Sequence, residues 1–284
     1  MFLLRSSATP LLSALSILAG ALVAIAAHPQ PAAAQVFSNC QAIAHNTFAR
    51  YVRHASLTPV NGDKYTVNIA YVGHSTFRIT APDGTTIATD YAGVSGLGPL
   101  PDVVTMNHAH TSHWTPFPDP DIPHVLRGWN PEGGKAEHFL TVGEVLVRNV
   151  PTDIRRFGGS VEESGNSIFI FEIAGLCIGH LGHLHQELSD AQIAEIGRLD
   201  VVFVPIDGGY TMAHPSMMAV VDRLRASIAI PMHWFSSYTL NEFVVRTRAH
   251  GLAIDVSAEP TLSVSLNTLP ETPTMVVLPR EQPF

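Results

Sequence analysis

Short apolar or alternating runs recur along most of this chain, at the length and β-branched enrichment of strands. They are Tyr65–Tyr71, Ser75–Ile79, Thr86–Asp90, Val103–Met106, Val145–Val150, Ser167–Ile173, Leu176–His180, Val201–Ile206, Ile228–Met232, Leu262–Leu266 and Met275–Leu278. Helices are fewer and better signposted. Ser189 with Gln192 forms a capping box ahead of Ala191–Ile196. Thr239 with Glu242 forms another ahead of Phe243–His250, which Gly251 stops. Pro215 is placed to open a helix running through Arg225. The order is strands first, then β-α-β-α and further strands, which predicts two packed β-sheets with helices outside. Trp114 to Glu137 breaks the pattern with prolines at 116, 118, 120, 123 and 131 and a Gly133-Gly134 pair. So long an irregular stretch reads as a wall or lid over a site.

The polar positions carry the chemistry. Seven of the fifteen histidines fall in three groups, each where a predicted strand gives way to a loop: His108, His110 and His113; His180, His183 and His185; and His233. Imidazole is the commonest metal ligand, and histidines converging from strand ends imply an ion with an open position. Residues two apart in an extended segment point the same way, so His108 and His110 can share one ion, with His113 returning to it or to a neighbour. Gly179 and Gly182 turn the second group sharply. One or two of its histidines are then ligands, and another packs on the sheet or supports a ligand. His74 is expected to pack or hydrogen-bond in its hairpin, and His214 to belong to the start of its helix. Asp207, ahead of Gly208-Gly209, is the first candidate for a general base, against the plainer reading of a turn-forming aspartate. Tyr210 either reaches substrate or packs the rim.

Composition narrows the setting. Arg5, the apolar run Leu11–Ala27 and Ala32-Ala33-Ala34 read as a secretory signal peptide over residues 1–34, with one domain over 35–284. The expected location is a bacterial periplasm or the exterior, with no stable membrane anchor once the leader is cut. Losing Arg5 takes the formal net charge from -8 to -9. An acidic chain without a Lys/Arg run offers nothing to a nucleic-acid backbone. Cys40 and Cys177 could pair in an oxidising compartment, or Cys177 could be a buried strand thiol beside an unrelated one.

Together these segments resemble the metallo-β-lactamase superfamily of metal-dependent hydrolases, over almost all of residues 35–284. YVGHSTFRI followed by TTIATD resembles the family's opening hairpin, with Asp90 similar to its strand-end aspartate. NHAHTSH resembles the His-x-His-x-Asp-His signature, and GHLGHLH the later His/Gly/Asp segment. DVVFVPIDGGYTM with IPMHW resembles the closing segment. The branch it resembles includes ascorbate-6-phosphate lactonase-like proteins. The resemblance implies a four-layer αββα sandwich with metal at the sheet edges. The chain departs from the pattern at Ser112 and His183, where the family carries aspartates. A family histidine expected near 150–156 is also absent, with Asp153 the only substitute there.

Two divalent ions without bridging carboxylates are poorly compensated, so one zinc-like ion is expected rather than two. Its ligands would be His108, His110, His113, His183 and His233, with His180, His185, Asp90 and Ser112 as supporting groups or further ligands. The implied function is hydrolysis of an ester, lactone, amide or phosphodiester of a small-molecule substrate by metal-bound hydroxide. The alternative is a metal- or partner-binding module that kept the fold and lost the aspartates needed for turnover.

Overall fold

The computed structural model describes residues 37–41, 62–108 and 110–281. The leader expected over 1–34 lies outside them.

Two β-sheets pack face to face. The first has six strands in the order β13-β1-β2-β3-β4-β5: β1 Val67–Gly73, β2 Thr76–Thr80, β3 Thr86–Ala88, β4 Val103–Met106, β5 His124–Arg127 and β13 Thr261–Val264. The second has eight, in the order β12-β14-β11-β10-β9-β8-β7-β6. These are β6 Phe139–Val142, β7 Val145–Arg155, β8 Val161–Ile173, β9 Leu176–His180, β10 Val201–Pro205, β11 Ile228–Met232, β12 Ala253–Val256 and β14 Thr274–Val277. Strands β9, β10 and β11 run parallel, as do β3, β4 and β5. Each of β9, β10 and β11 is buried along its whole length. That is why their sequences are continuous apolar runs rather than alternating ones.

Alternate residues of these strands serve two cores. Phe169, Phe171, Val201, Phe203, Ile228 and Ile230 face Ile69, Tyr71, Phe77 and Ile79 between the sheets. Ile168, Ile170, Val202, Val204 and Ala229 face the helices. Those helices are α1 Asp190–Ile196, α2 His214–Leu224 and α3 Ser237–Ala249. Among the described residues all three lie on the eight-stranded sheet. The outer face of the six-stranded sheet carries a smaller cluster, with Met106, Ile122, Trp114 and Trp129. The fold is thus the expected α/β sandwich, with loop in place of helix on that outer face among the described residues.

The capping box at Ser189 and Gln192 forms as expected. The third helix begins earlier than expected: Ser236 is its cap, accepting from the Thr239 N–H at 3.2 Å, so Thr239 lies inside the first turn. Residues 114–137 are not wholly irregular, because β5 forms within them by pairing with β4. That pairing is tertiary and leaves no periodicity in so short a segment. Cys40 and Cys177 are joined in a disulfide. The bond ties residues 37–41 to β9, beside a buried network in which Glu172 accepts from Ser38 Oγ at 2.5 Å and Arg148 Nε at 2.9 Å.

Candidate metal centre

Parallel strands bring their C-terminal ends to one edge, and the chemistry-bearing residues leave from those ends. Asp90 follows β3, His110 and His113 follow β4, His183 follows β9, Asp207 follows β10 and His233 follows β11. His74 joins them from the β1–β2 turn, because β2 runs antiparallel to β3 and so starts where β3 finishes. His74, Asp90 and His233 all adopt left-handed backbone, at φ of 53°, 44° and 56°. That conformation is costly outside glycine and persists where surrounding contacts over-determine it.

His74, His110, His113 and His233 each offer a ring nitrogen, and these four atoms lie within 4.8 Å of one another. His183 closes the group: its Nε2 is 3.2 Å from His110 Nε2. Two imidazoles sharing one tetrahedral zinc-like ion at ~2.0–2.1 Å stand about 3.3 Å apart. The Nδ1 atoms are held from behind. His113 Nδ1 is 2.6 Å from Asp90 Oδ2 and 3.0 Å from Ser75 Oγ; His233 Nδ1 is 2.9 Å from Asp207 Oδ2. A carboxylate at Nδ1 keeps the proton there and leaves Nε2 as a bare lone pair. Both Nε2 atoms, of His113 and His233, are buried without a hydrogen-bond partner among the described residues. Buried polar atoms are rarely left so, and a cation between them would satisfy both. The donor set therefore fits a transition-metal ion.

Electrostatics agree. Burial, reinforced by neighbouring histidines, lowers His74 to about 3 and His110 to about 4 and also depresses His183. His233 is lowered by burial even though Asp207 opposes the shift. Near neutral pH these rings stay uncharged, the state in which imidazole binds a metal. Asp90 goes the other way. Burial would raise its carboxyl, but His113, His180 and hydrogen bonds from His113 and Asn107 outweigh that and hold it down to about 2.

Several sequence expectations are redirected. His108, expected as a ligand, lies outside the group. Its Nδ1 is 2.6 Å from Glu162 Oε1, its ring stacks on Trp129 at 4.8 Å, and its N–H donates to Gly165 O. β4 ends at Met106, so the two-residue alternation that would have paired His108 with His110 no longer applies. His180 is no ligand either. Its Nε2 donates to Ser75 O at 2.8 Å and its Nδ1 accepts from Gly182 N–H at 3.1 Å, which joins the two sheets. His185 sits one ring further out, with Nε2 2.6 Å from His183 Nδ1. Ser112 Oγ lies between His74 Nε2 at 2.8 Å and His110 Nδ1 at 2.7 Å, a support to both rings.

Asp207, expected as a general base, is fully engaged. Oδ1 accepts from the Gly209 and Thr211 N–H groups, and Oδ2 from Thr211 Oγ1 and His233 Nδ1. Burial alone would raise its carboxyl, yet these bonds hold it well below the carboxylate range, which leaves a poor proton acceptor. Asp153 accepts from the Ser164 N–H in the β7–β8 hairpin. His214 opens α2 and donates to Ile206 O, as expected.

Two buried asparagines gave no sequence signal. Asn107 donates to Asp90 Oδ1 at 2.7 Å and accepts from the Ser167 N–H; Asn166 accepts from the His183 N–H at 2.8 Å. Gly182 sits against both at φ +60°, and a Cβ there would overlap Asn166 Oδ1 and come within 2.6 Å of Asn107 Nδ2. Sequence could have pointed to His74 by its Gly-His-Ser turn between two strands. The asparagines became visible only through their partners.

Comparison with known proteins gives a consistent picture. A family model described as a beta-lactamase superfamily domain matches residues 68–233. A metal-dependent hydrolase of the UPF0173 group from Carboxydothermus hydrogenoformans is 31% identical over 103 residues, 34% of this chain and 46% of that protein, about half its length. Another from Symbiobacterium thermophilum is 25% identical over 224 residues, covering 68% of this chain and 97% of its own. Among solved structures, a candidate Zn-dependent hydrolase of the metallo-beta-lactamase superfamily from Thermotoga maritima superposes with a TM-score of 0.54 at 26% identity. That match covers 75% of this chain and 98% of the other.

Proposed function

Because this chain belongs to the beta-lactamase superfamily, we propose that it is a metal-dependent hydrolase whose ion is held by His74, His110, His113, His183 and His233. The substrate is a small molecule carrying an ester, lactone, amide or phosphodiester bond. One observation carries the assignment: His113 and His233 each keep a buried Nε2 with no partner among the described residues, while a carboxylate fixes Nδ1. A zinc-like ion held there supplies Lewis acidity, polarising a carbonyl or phosphoryl oxygen and lowering the pKa of water to about 7.

The chain's own residues do the rest. Asp90 and Asp207 hold protons on His113 and His233 Nδ1 and so aim both lone pairs inward. Ser112 orients His74 and His110, and Asn166 fixes the backbone of His183. The donors are all nitrogen, with both nearby carboxylates spent behind the rings, which favours one ion over two. Zinc suits such a set, as do copper, nickel and iron. A periplasmic or extracellular location is supported by the leader and by the Cys40–Cys177 disulfide, which persists in oxidising compartments.

The deciding experiment is elemental analysis of the protein purified without chelator or affinity histidines, followed by an ester, lactone and phosphodiester screen. About one equivalent of a transition metal, lost in His113→Ala and His233→Ala, is expected. No metal bound and none taken up would overturn the assignment. Bound metal without turnover on any substrate class would favour the non-catalytic module.

A further inference from the structure

Two exposed aromatic rings stand beside the histidine cluster. His233, Trp234 and Phe235 leave β11 in succession and take different surroundings. His233 is buried in the cluster, and Trp234 turns into the core with the Arg280 guanidinium 5.1 Å over its ring. Phe235 is left outside, 58% exposed. Its ring nonetheless lies 5.2 Å from that of His233 and 5.6 Å from that of His74. Tyr210, 70% exposed on the loop after β10, packs edge-on against Phe235 at 5.7 Å. Water-exposed aromatic surface is unfavourable, and a patch of it at the entrance to a buried polar site marks ligand contact.

Charge separates the possible ligands. Arg155 and Arg156 end and follow β7, near enough to His185 to act on its charge, and both are committed. Arg155 donates to the carbonyls of Gly209 and Thr211, while Arg156 bonds Glu162 and the His108 carbonyl. The chain as a whole carries -8. Neither feature favours a polyanion.

The geometry points to a substrate whose non-reacting part is an apolar acyl chain lying across Phe235 and Tyr210, with its ester or lactone bond turned toward His74 and His233. In the step implied, water adds across the acyl–oxygen bond. The acyl carbon keeps the water oxygen, and the leaving oxygen departs with a proton as the alcohol. This deepens the hydrolase reading and rests on it only for the turnover measurement.

The test compares 4-nitrophenyl acetate with 4-nitrophenyl hexanoate, and separately the thermal shift produced by 2-octanone with that produced by 2-butanone. Each added methylene in an apolar site is worth roughly tenfold or more in discrimination. The wild-type ratio of kcat/KM, hexanoate over acetate, should exceed ten, and Phe235→Ser should lower that ratio about tenfold. Tyr65→Ser, an exposed ring beyond the far end of β1 from His74, should leave the ratio in place. The longer ketone should raise Tm more than the shorter one, and Phe235→Ser should erase the difference. A chain-length-dependent thermal shift without turnover would keep the apolar subsite and refute hydrolysis of these esters. Turnover with no chain-length preference, an unchanged ratio in Phe235→Ser, or the absence of both effects would overturn the subsite.

Discussion

Asp90→Asn isolates the carboxylate's role. Asp90 is fully buried, accepts from His113 Nδ1 at 2.6 Å through Oδ2, and from Asn107 Nδ2 at 2.7 Å through Oδ1. Its backbone is left-handed at φ 44°, a conformation that asparagine tolerates as well as aspartate, so the exchange leaves the turn unstrained. Shape is preserved and one acceptor becomes a donor. If the new amide faces His113, Nδ1 must accept, the proton moves to Nε2 and the lone pair aimed into the cluster is lost. If it faces Asn107 instead, two amide donors oppose each other, because Asn107 Oδ1 is held by the Ser167 N–H. Partners of this kind are worth about 10- to 100-fold in metal affinity, or roughly 1.4–2.8 kcal/mol. We expect zinc affinity, measured by competition against a chromophoric chelator at pH 7.5, to fall within that range while the far-ultraviolet circular dichroism is unchanged. Asp90→Asn binding zinc within twofold of wild type would refute the reasoning.

Three further outcomes are expected. His108→Ala should retain full metal content while His110→Ala loses it; loss in both would return His108 to the ligand set. Cleaving the Cys40–Cys177 bond, whose partners are 137 residues apart, should lower stability by about 2–5 kcal/mol, seen as a fall in urea midpoint of the Cys40→Ala/Cys177→Ala pair; no fall would refute the bond's role. The metal-free protein should weaken on acidification. Burial lowers His74, His110 and His185 from the ordinary 6.5 to about 3, 4 and 4 in the folded chain, so the unfolded chain takes up protons first. Their stabilisation is complete above pH ~6.5 and lost as pH falls toward about 4. Equal urea midpoints at pH 7.5 and pH 5 would exclude this.

Much of the architecture is legible before folding. Continuous apolar runs at β9, β10 and β11 mark strands covered on both faces, because strands at the middle of a sheet sandwiched between other layers bury both faces. The Ser189 capping box and the Pro215 helix start are local, set by hydrogen bonds three or four residues apart. Strand β5 escaped because its partner lies some twenty residues away in β4 and its own four residues have no period.

What the sequence determined is that histidines gather at strand ends, and that parallel strands must carry those ends to one edge of the sandwich. Tertiary structure alone decided which rings face the centre. His108 turns to Glu162 and Trp129, while His74, expected only to pack or hydrogen-bond in its hairpin, also turns inward to the cluster. Asp207 stands behind His233 instead of facing substrate, and Cys40 meets Cys177. The physical reason is common to all four. A side chain's direction is fixed by partners far away in sequence, as with His180 and Ser75, 105 residues apart, and those partners exist only once both sheets have closed.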